Sequence, residues 1–391
     1  MPTSRGGQEP DHPTTTILRR GGGDGGAGGD AAGGDGAAPR QVWVPGPVIK
    51  DACVAASWRH RTYERLRLHL PRCFCELPLA PFPPGTPPYP TRDQFVAYLD
   101  GYARAFGIEP RLGAGGAEGG GATAATEFVS RWLVVATGEN AEPAWPEGVE
   151  GMDGYRGVAM HTSSYKKGDE FRGKNVLVVG CGNSGMEVSL DLCNNGAKAS
   201  MVVRDKLHVL PREILGISTF GLSVDSVLLF FSRLILGDTE KYSLPRPKIG
   251  PLQIKSSTGK TPVLDIGALR KIKTGEIKVV PEISRFTENG VEFIDGHRED
   301  FDAVIFATGY KSNVPSWLKE EEFFSHADGF PRKPFPHSWR GKNGLYAAGF
   351  TRKGLMGTSY DALRIAGDIV DQWTEAFASP TAAHRSSDHG A

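Results

Sequence analysis

Residues Lys174 to Arg204, KNVLVVGCGNSGMEVSLDLCNNGAKASMVVR, leave this chain little choice of fold. An apolar run, Val176 to Val179, reads as a buried parallel strand. Gly180-Cys181-Gly182-Asn183-Ser184-Gly185 follows at once, a G-x-G-x-x-G turn. Glu187 to Asn195 has helical spacing, with Val188, Leu192 and Asn195 on one side, and Gly196 stands where a helix end wants a left-handed residue. A second strand-like run, Ala199 to Val203, closes the unit. The glycine pattern by itself is weak. Strand, turn, helix and second strand within about 30 residues is strong, because each glycine then has a task. The first permits the tight turn, the second lets the backbone approach a pyrophosphate, and the third allows close helix–strand packing. The helix N-terminus supplies N–H donors to the anion.

The end of the second strand selects the cofactor. NAD-binding units place Asp or Glu there to accept from the ribose 2′-hydroxyl, whereas Arg204 suits a 2′-phosphate. The unit is therefore predicted to bind NADP(H). An exposed strand-end cation is the plain alternative.

A length of 391 residues allows two domains, each with its own core. A formal net charge of zero gives no argument for a nucleic-acid partner or an anionic membrane surface. The five cysteines, Cys53, Cys73, Cys75, Cys181 and Cys193, have neither disulfide-framework nor zinc-site spacing, which fits a reducing compartment. The ten histidines show no metal-ligand spacing. The N-terminus has no signal-peptide core, and the longest apolar stretch, Val227 to Leu236, is too short to span a bilayer. The location expected is cytoplasmic, with peripheral attachment to the endoplasmic reticulum as the minority reading.

Taken in order, 1–40 is a Gly/Ala/Asp-rich stretch expected to be a disordered tail, as is 377–391. Its glycines are not a phosphate loop, because no strand precedes them and no helix follows. Gln41 to Ile49 leads into a strand. Thr91-Arg92-Asp93-Gln94 matches a capping box, and Phe95, Tyr98, Leu99, Tyr102 and Phe106 then predict a helix over Arg92 to Phe106. Leu112 to Ala125 reads as a loop. Arg131 to Ala136, Ile277 to Val280, Val291 to Ile294, Ala303 to Phe306 and Leu345 to Ala348 read as strands. A last helix, Tyr360 to Glu375, is expected to turn Ala362, Ile365, Ala366, Ile369 and Trp373 inward. Two strands end in Ala-Thr-Gly, placing Thr137-Gly138 and Thr308-Gly309 where the backbone can approach a ligand closely. Flanking the glycine-turn unit, they suggest an α/β chain in which one dinucleotide domain, at 41–145 and 300–376, is split by an inserted one at 146–299.

Several stretches resemble the flavin-containing monooxygenases. Tyr155-x-Gly157-x-x-x-His161-x-x-x-Tyr165-Lys166 is similar to that family's identifying sequence, with Tyr for Phe at its head. WLVVATGENAEP (Trp132 to Pro143), VLVVGCGNSGMEVSLDL (Val176 to Leu192) and IFATGYKSNVPSWL (Ile305 to Leu318) look like the plant YUCCA branch. So do RLRLHLPRCFCELPLAPFP (Arg65 to Pro83), the region of TPVLDIGAL (Thr261 to Leu269) and LYAAGFTRKGLMG (Leu345 to Gly357).

The resemblance implies two Rossmann-like domains, with FAD in the split one and NADPH in the inserted one. It implies that indole-3-pyruvate, NADPH and oxygen give indole-3-acetate (auxin) and carbon dioxide, through a C4a-(hydro)peroxyflavin. Such chemistry is mostly the cofactor's. It needs no acid–base dyad from the protein, and the sequence shows none. By position, Gly180, Gly182, Asn183, Ser184 and Gly185 would hold the NADPH pyrophosphate, with Arg204 near the 2′-phosphate. His161 and Tyr165 would serve a structural task linking the two domains.

The chain departs from the family at its front. Ile49-Lys50 runs straight into DACVAASW (Asp51 to Trp58), where the family has its first strand, glycine turn and helix, about 25 residues of a βαβ unit. Poor FAD binding and lowered stability are expected from that gap. Three alternatives follow: a relative that keeps only NADP binding, an N- or S-oxygenating flavin monooxygenase, and a disulfide reductase. The last needs a redox cysteine pair, and Cys73-x-Cys75 lacks its spacing.

Overall fold

The computed structural model describes residues 18–19, 49–50, 53–112, 128–212, 224–258, 261–320 and 322–378. The chain divides into two compact units: a flanking unit of Met1–Val54, Ala105–Glu139 and Ser312–Ala391, and a central unit of Ala55–Arg104 and Asn140–Lys311. The tails expected at 1–40 and 377–391 lie outside the described residues, save 18–19 and 377–378. So does all of the expected loop beyond Leu112.

The central unit is built on five parallel strands in the order Ile277–Val280, Lys198–Val202, Asn175–Val179, Ala303–Phe306 and Val158–His161. The middle strand is the apolar run that precedes the glycine turn. Its side chains alternate between two cores. Val176 and Val178 pack with Met201, Ile305 and the helix residues Val188 and Leu192. Leu177 packs on the other face with Val304, Phe306, Phe286 and Phe293. That second face is covered by an antiparallel sheet of Ile283–Phe286, Gly290–Phe293 and Arg298–Asp300. Burying one such aliphatic side chain is worth about 1.5–3 kcal/mol, and burial on both faces locks the register.

The helix after the turn spans Asn183–Asn194, with Gly182 as N-cap. It begins earlier than apolar spacing indicates, because its first turn is polar. It ends as Gly196 indicates: at φ 83° this glycine donates to Cys193 O, and Ala197 donates to Leu192 O, the two bonds of a Schellman motif. The capping box also forms. Gln94 N–H donates to Thr91 Oγ1 at 3.2 Å, and Thr91 N–H donates to Gln94 Oε1 at 2.9 Å, at the head of the Arg92–Ala105 helix.

Ala55–Arg104, grouped by sequence with the FAD-type segment, packs in the central unit. The glycine-turn helix carries two buried carboxylates one turn apart, and buried carboxylates need donors. Glu187 accepts from Tyr63 Oη at 3.0 Å and from His69 Nε2 at 2.8 Å. Asp191 accepts from Tyr165 Oη at 2.7 Å and Gly168 N–H at 2.8 Å, with Arg65 at 3.6 Å.

In the flanking unit, Leu133–Val135 pairs in parallel with Leu345–Ala347, and Ile49–Lys50 with Arg111–Leu112. Among the described residues, each of these sheets has two strands. Val135 and Ala347 pack on Phe323, Phe324 and Phe350. On the other face Tyr346 and Ala348 meet Ile365 and Ile369 of the Gly354–Ala378 helix. The expected inward set of that helix is corrected here. Ala362, Ala366 and Trp373 are exposed, and buried Asp361 takes an inner position by accepting from Gly349 N–H at 3.1 Å. A two-stranded sheet is too narrow to cover more than one stripe of a helix.

Val224–Leu236 is a helix that buries Leu228 and Leu236 and exposes Phe230 and Leu234. Among the described residues, no helix is long and apolar enough to cross a membrane.

Candidate functional site

A cavity of about 670 Å³ opens at the carboxyl ends of the central strands, lined by Val179, Gly180, Gly182, Val202, Arg204 and Phe306 among others. Open parallel sheets bind ligands at this edge. The three glycines divide the work by geometry. Gly180 has φ 115°, and a Cβ there would stand 2.6 Å from Ala307 O. A Cβ on Gly185 would stand 2.0 Å from Gly180 O, so only glycine lets the helix meet its strand. A Cβ on Gly182 would meet nothing within 4 Å, and this residue borders the cavity. The N–H groups of Asn183, Ser184 and Gly185 open the helix, where no preceding turn can accept them.

The side chains of the turn face its walls. Asn183 Oδ1 accepts from Leu264 N–H at 2.8 Å, tying the turn to the Val263–Asp265 strand. The Ser184 hydroxyl bonds to the side chain of Tyr63. Burial, then the charge of Glu187, pushes the Tyr63 phenol well above its usual range, so it stays protonated and donates to Glu187. Its lone pairs are then left for Ser184.

Arg204 stands at the strand end expected for it, largely exposed, with Asp205 at 3.6 Å and Glu282 at 3.7 Å. The two Ala-Thr-Gly turns fall in different units. Thr308 lines the cavity and donates to Ala144 O, and Gly309, at φ 84°, gives its carbonyl to Ala144 N–H and to His161. Thr137 and Gly138 end a strand of the flanking unit, where Gly349 approaches Gly138.

His161 reaches Gly309 and Tyr165 packs beside Tyr63, both partners in stretches the sequence assigned to the split domain and both inside the central unit. Ser163 N–H donates to His161 Nδ1 at 3.1 Å, which leaves the proton on Nε2 for Gly309 O at 2.9 Å. Burial lowers the His161 pKa, against the Gly309 bond. Tyr165 is raised by burial and by Asp191. The strict spacing of the motif thus serves to pin the Thr308-Gly309 turn and the glycine-turn helix.

Trp145, Lys206 and Glu282 are among the cavity residues that sequence reasoning missed. Lys206 carried a signal, standing two residues past Arg204. Trp145 and Glu282 carried none. Among the described residues, no group of His, Cys, Asp or Glu could hold a metal ion.

Comparison with known proteins gives consistent results. The family described as flavin-binding monooxygenase-like matches residues 127–326. The chain is 57% identical over 355 residues to indole-3-pyruvate monooxygenase YUCCA4 of Oryza sativa subsp. japonica, covering 82% of this chain and 80% of the relative. It is 56% identical over 349 residues to indole-3-pyruvate monooxygenase YUCCA6 of Arabidopsis thaliana, covering 83% and 84%. Among solved structures, a flavin-containing monooxygenase from Stenotrophomonas maltophilia aligns with TM-score 0.58 at 20% identity, covering 84% of this chain and 91% of the other. Cyclohexanone monooxygenase from Rhodococcus sp. Phi1, bound to NADP+, aligns with TM-score 0.60 at 15% identity, covering 82% and 78%. At these identities the structures share the fold.

Proposed function

The chain belongs to the flavin-binding monooxygenase-like family, and from that premise we propose that it is an FAD- and NADPH-dependent monooxygenase of auxin biosynthesis acting on indole-3-pyruvate. The observation that carries the reading is the cavity at the glycine turn, set in a chain 57% identical to a relative of that name. The reading includes oxygen as co-substrate and a reducing, cytoplasmic location, consistent with five cysteines of which none forms a disulfide.

The residues present fit NADPH. Gly180, Gly182, Asn183, Ser184 and Gly185 would hold the pyrophosphate through backbone N–H groups, with the open face of Gly182 toward it. Arg204 would hold the 2′-phosphate. Thr308 and Gly309 would let the backbone approach the nucleotide, and His161 would hold their turn in shape. When bound, NADPH supplies the reducing hydride. Trp145 and Phe306, 5.4 Å apart between ring centroids, form an aromatic wall of the cavity.

The described residues do not fit the pyrophosphate of FAD. After the Ile49–Lys50 strand come five residues, DACVA, without a glycine. The helix that follows, Ala56–His60, has five residues and no side-chain cap. Thr137 and Gly138 are proposed to approach FAD, yet in a unit whose described residues form no such cradle. This observation favours a second reading, a relative that takes NADPH and does not retain flavin. The visible spectrum after adding FAD and desalting separates the two. A retained flavin band with turnover of indole-3-pyruvate supports the monooxygenase. A colourless protein that binds NADPH supports the second reading.

A further inference from the structure

We infer that Glu282 sets how strongly the site prefers a 2′-phosphorylated nucleotide, a role that rests on the NADPH reading of the cavity. The strands Lys198–Val202 and Ile277–Val280 lie side by side with Val202 opposite Val280. Two residues further along each strand stand Arg204 and Glu282. One backbone bond carries the alignment past the strand ends, Val203 N–H donating to Val280 O at 3.3 Å, and Ile294 N–H, donating to Glu282 O at 2.9 Å, anchors Glu282 to the neighbouring antiparallel sheet. The carboxylate is thus delivered to the guanidinium, Oε1 to Nη1 at 3.7 Å, and both groups line the cavity.

The pairing has a chemical consequence. A carboxylate at the end of the second strand accepts from the ribose 2′-hydroxyl of an unphosphorylated nucleotide, and an arginine there holds a 2′-phosphate. This site has both groups, the arginine from the expected strand and the carboxylate from its neighbour at the same register. Glu282 opposes the charge of a 2′-phosphate and competes for Arg204. It also offers an acceptor to a free 2′-hydroxyl. Asp205 adds a second negative charge beside Arg204 at 3.6 Å, and Lys206, on the same cavity wall, adds a positive one. The balance among these groups makes the preference moderate, and Glu282 is the member whose removal sharpens it.

The test uses 2′,5′-ADP and ADP as probes, which report on this end of the cavity without flavin or turnover. Dissociation constants are measured by calorimetry on the full chain and on Glu282→Gln, at low and at high salt. Glu282→Gln is expected to bind 2′,5′-ADP about two- to fivefold more tightly at low salt, the scale of one exposed charge near another. Added salt should shrink that gain. Binding of ADP should stay level or weaken. Unchanged or weaker binding of 2′,5′-ADP overturns the inference, as does a gain that salt does not touch. Failure of the unmodified chain to bind 2′,5′-ADP at all overturns the NADPH assignment itself, a different result from a silent Glu282. The side chains of Arg204 and Glu282 are 66% and 44% exposed and Gln keeps the shape of Glu, so folding is not at stake. Glu282→Asp, which keeps the charge, should restore the original preference.

Discussion

The central and flanking units are built from the same kinds of strand and helix, yet among the described residues only the central one forms a sheet covered on both faces. In the central unit five parallel strands have both faces covered, and their middle strand is buried along Val176, Leu177 and Val178. In the flanking unit the described strands pair two by two. Val134, on the same face as buried Tyr346, is 41% exposed, and the Gly354–Ala378 helix turns Met356, Tyr360 and Leu363 outward at helical spacing. The difference tracks one sequence feature. A strand, glycine turn and helix stand in the middle of the first sheet, and at Ile49-Lys50 the chain passes directly to Asp51. Such a unit contributes a central strand, a covering helix and an anion site together, and the sequence between Lys50 and Ala56 has no glycine turn to supply them.

The largest expected effect makes the central unit resemble the flanking one. Gly185→Val sets side-chain atoms against Gly180 O, where even a Cβ would stand at 2.0 Å. The helix must leave the strand, at a cost of about 3 kcal/mol or more. NADPH binding should be lost, and the urea midpoint should fall. Gly138→Ala in the flanking unit meets nothing within 4 Å and strains only its φ of 75°, a cost of about 1–2 kcal/mol. Similar losses from both changes would mean that the two turns are equally built, contrary to the contrast drawn above.

A middle-sized effect concerns the segment that changed sides. Glu187→Leu leaves the buried Tyr63 hydroxyl without its acceptor, a cost of about 1–3 kcal/mol, while Glu187→Gln keeps an acceptor and should cost less. Trypsin should then cut within Ala55–Arg104 faster in Glu187→Leu than in Glu187→Gln. Equal cutting would show that the carboxylate does not hold the segment.

That segment also marks where sequence stops being readable. Local devices were legible: the capping box at Thr91, the Schellman glycine at Gly196 and the division of work among three glycines each depend on residues a few positions apart. The cavity was legible as far as Gly180 to Gly185 and Arg204. Glu282 was not, because its meeting with Arg204 depends on a register between strands 78 residues apart along the chain. Ile283–Phe286 and Arg298–Asp300 escaped because they are mostly half-buried or exposed and show no clean alternation. Ala362, Ala366 and Trp373 were misassigned because helical spacing gives a stripe without saying how wide a sheet lies beneath it.

The smallest effect concerns the turn that His161 pins. Burial lowers its folded-state pKa below the ordinary value of about 6.5. Below that value the unfolded chain takes up a proton that the folded chain refuses. Stability therefore rises with pH in this window and is lost as pH falls from about 6.5 toward the folded pKa. His161→Gln keeps an N–H donor for Gly309 O but cannot titrate. The unmodified chain should lose up to about 1 kcal/mol more than this variant between pH 7.5 and 5.5, read from urea midpoints at the two pH values. If the two chains weaken in parallel, protons act elsewhere. If only the unmodified chain weakens, and NADPH affinity falls with it, protonation at Nδ1, which ends its acceptance from Ser163 N–H, is what loosens the second Ala-Thr-Gly turn that His161 pins.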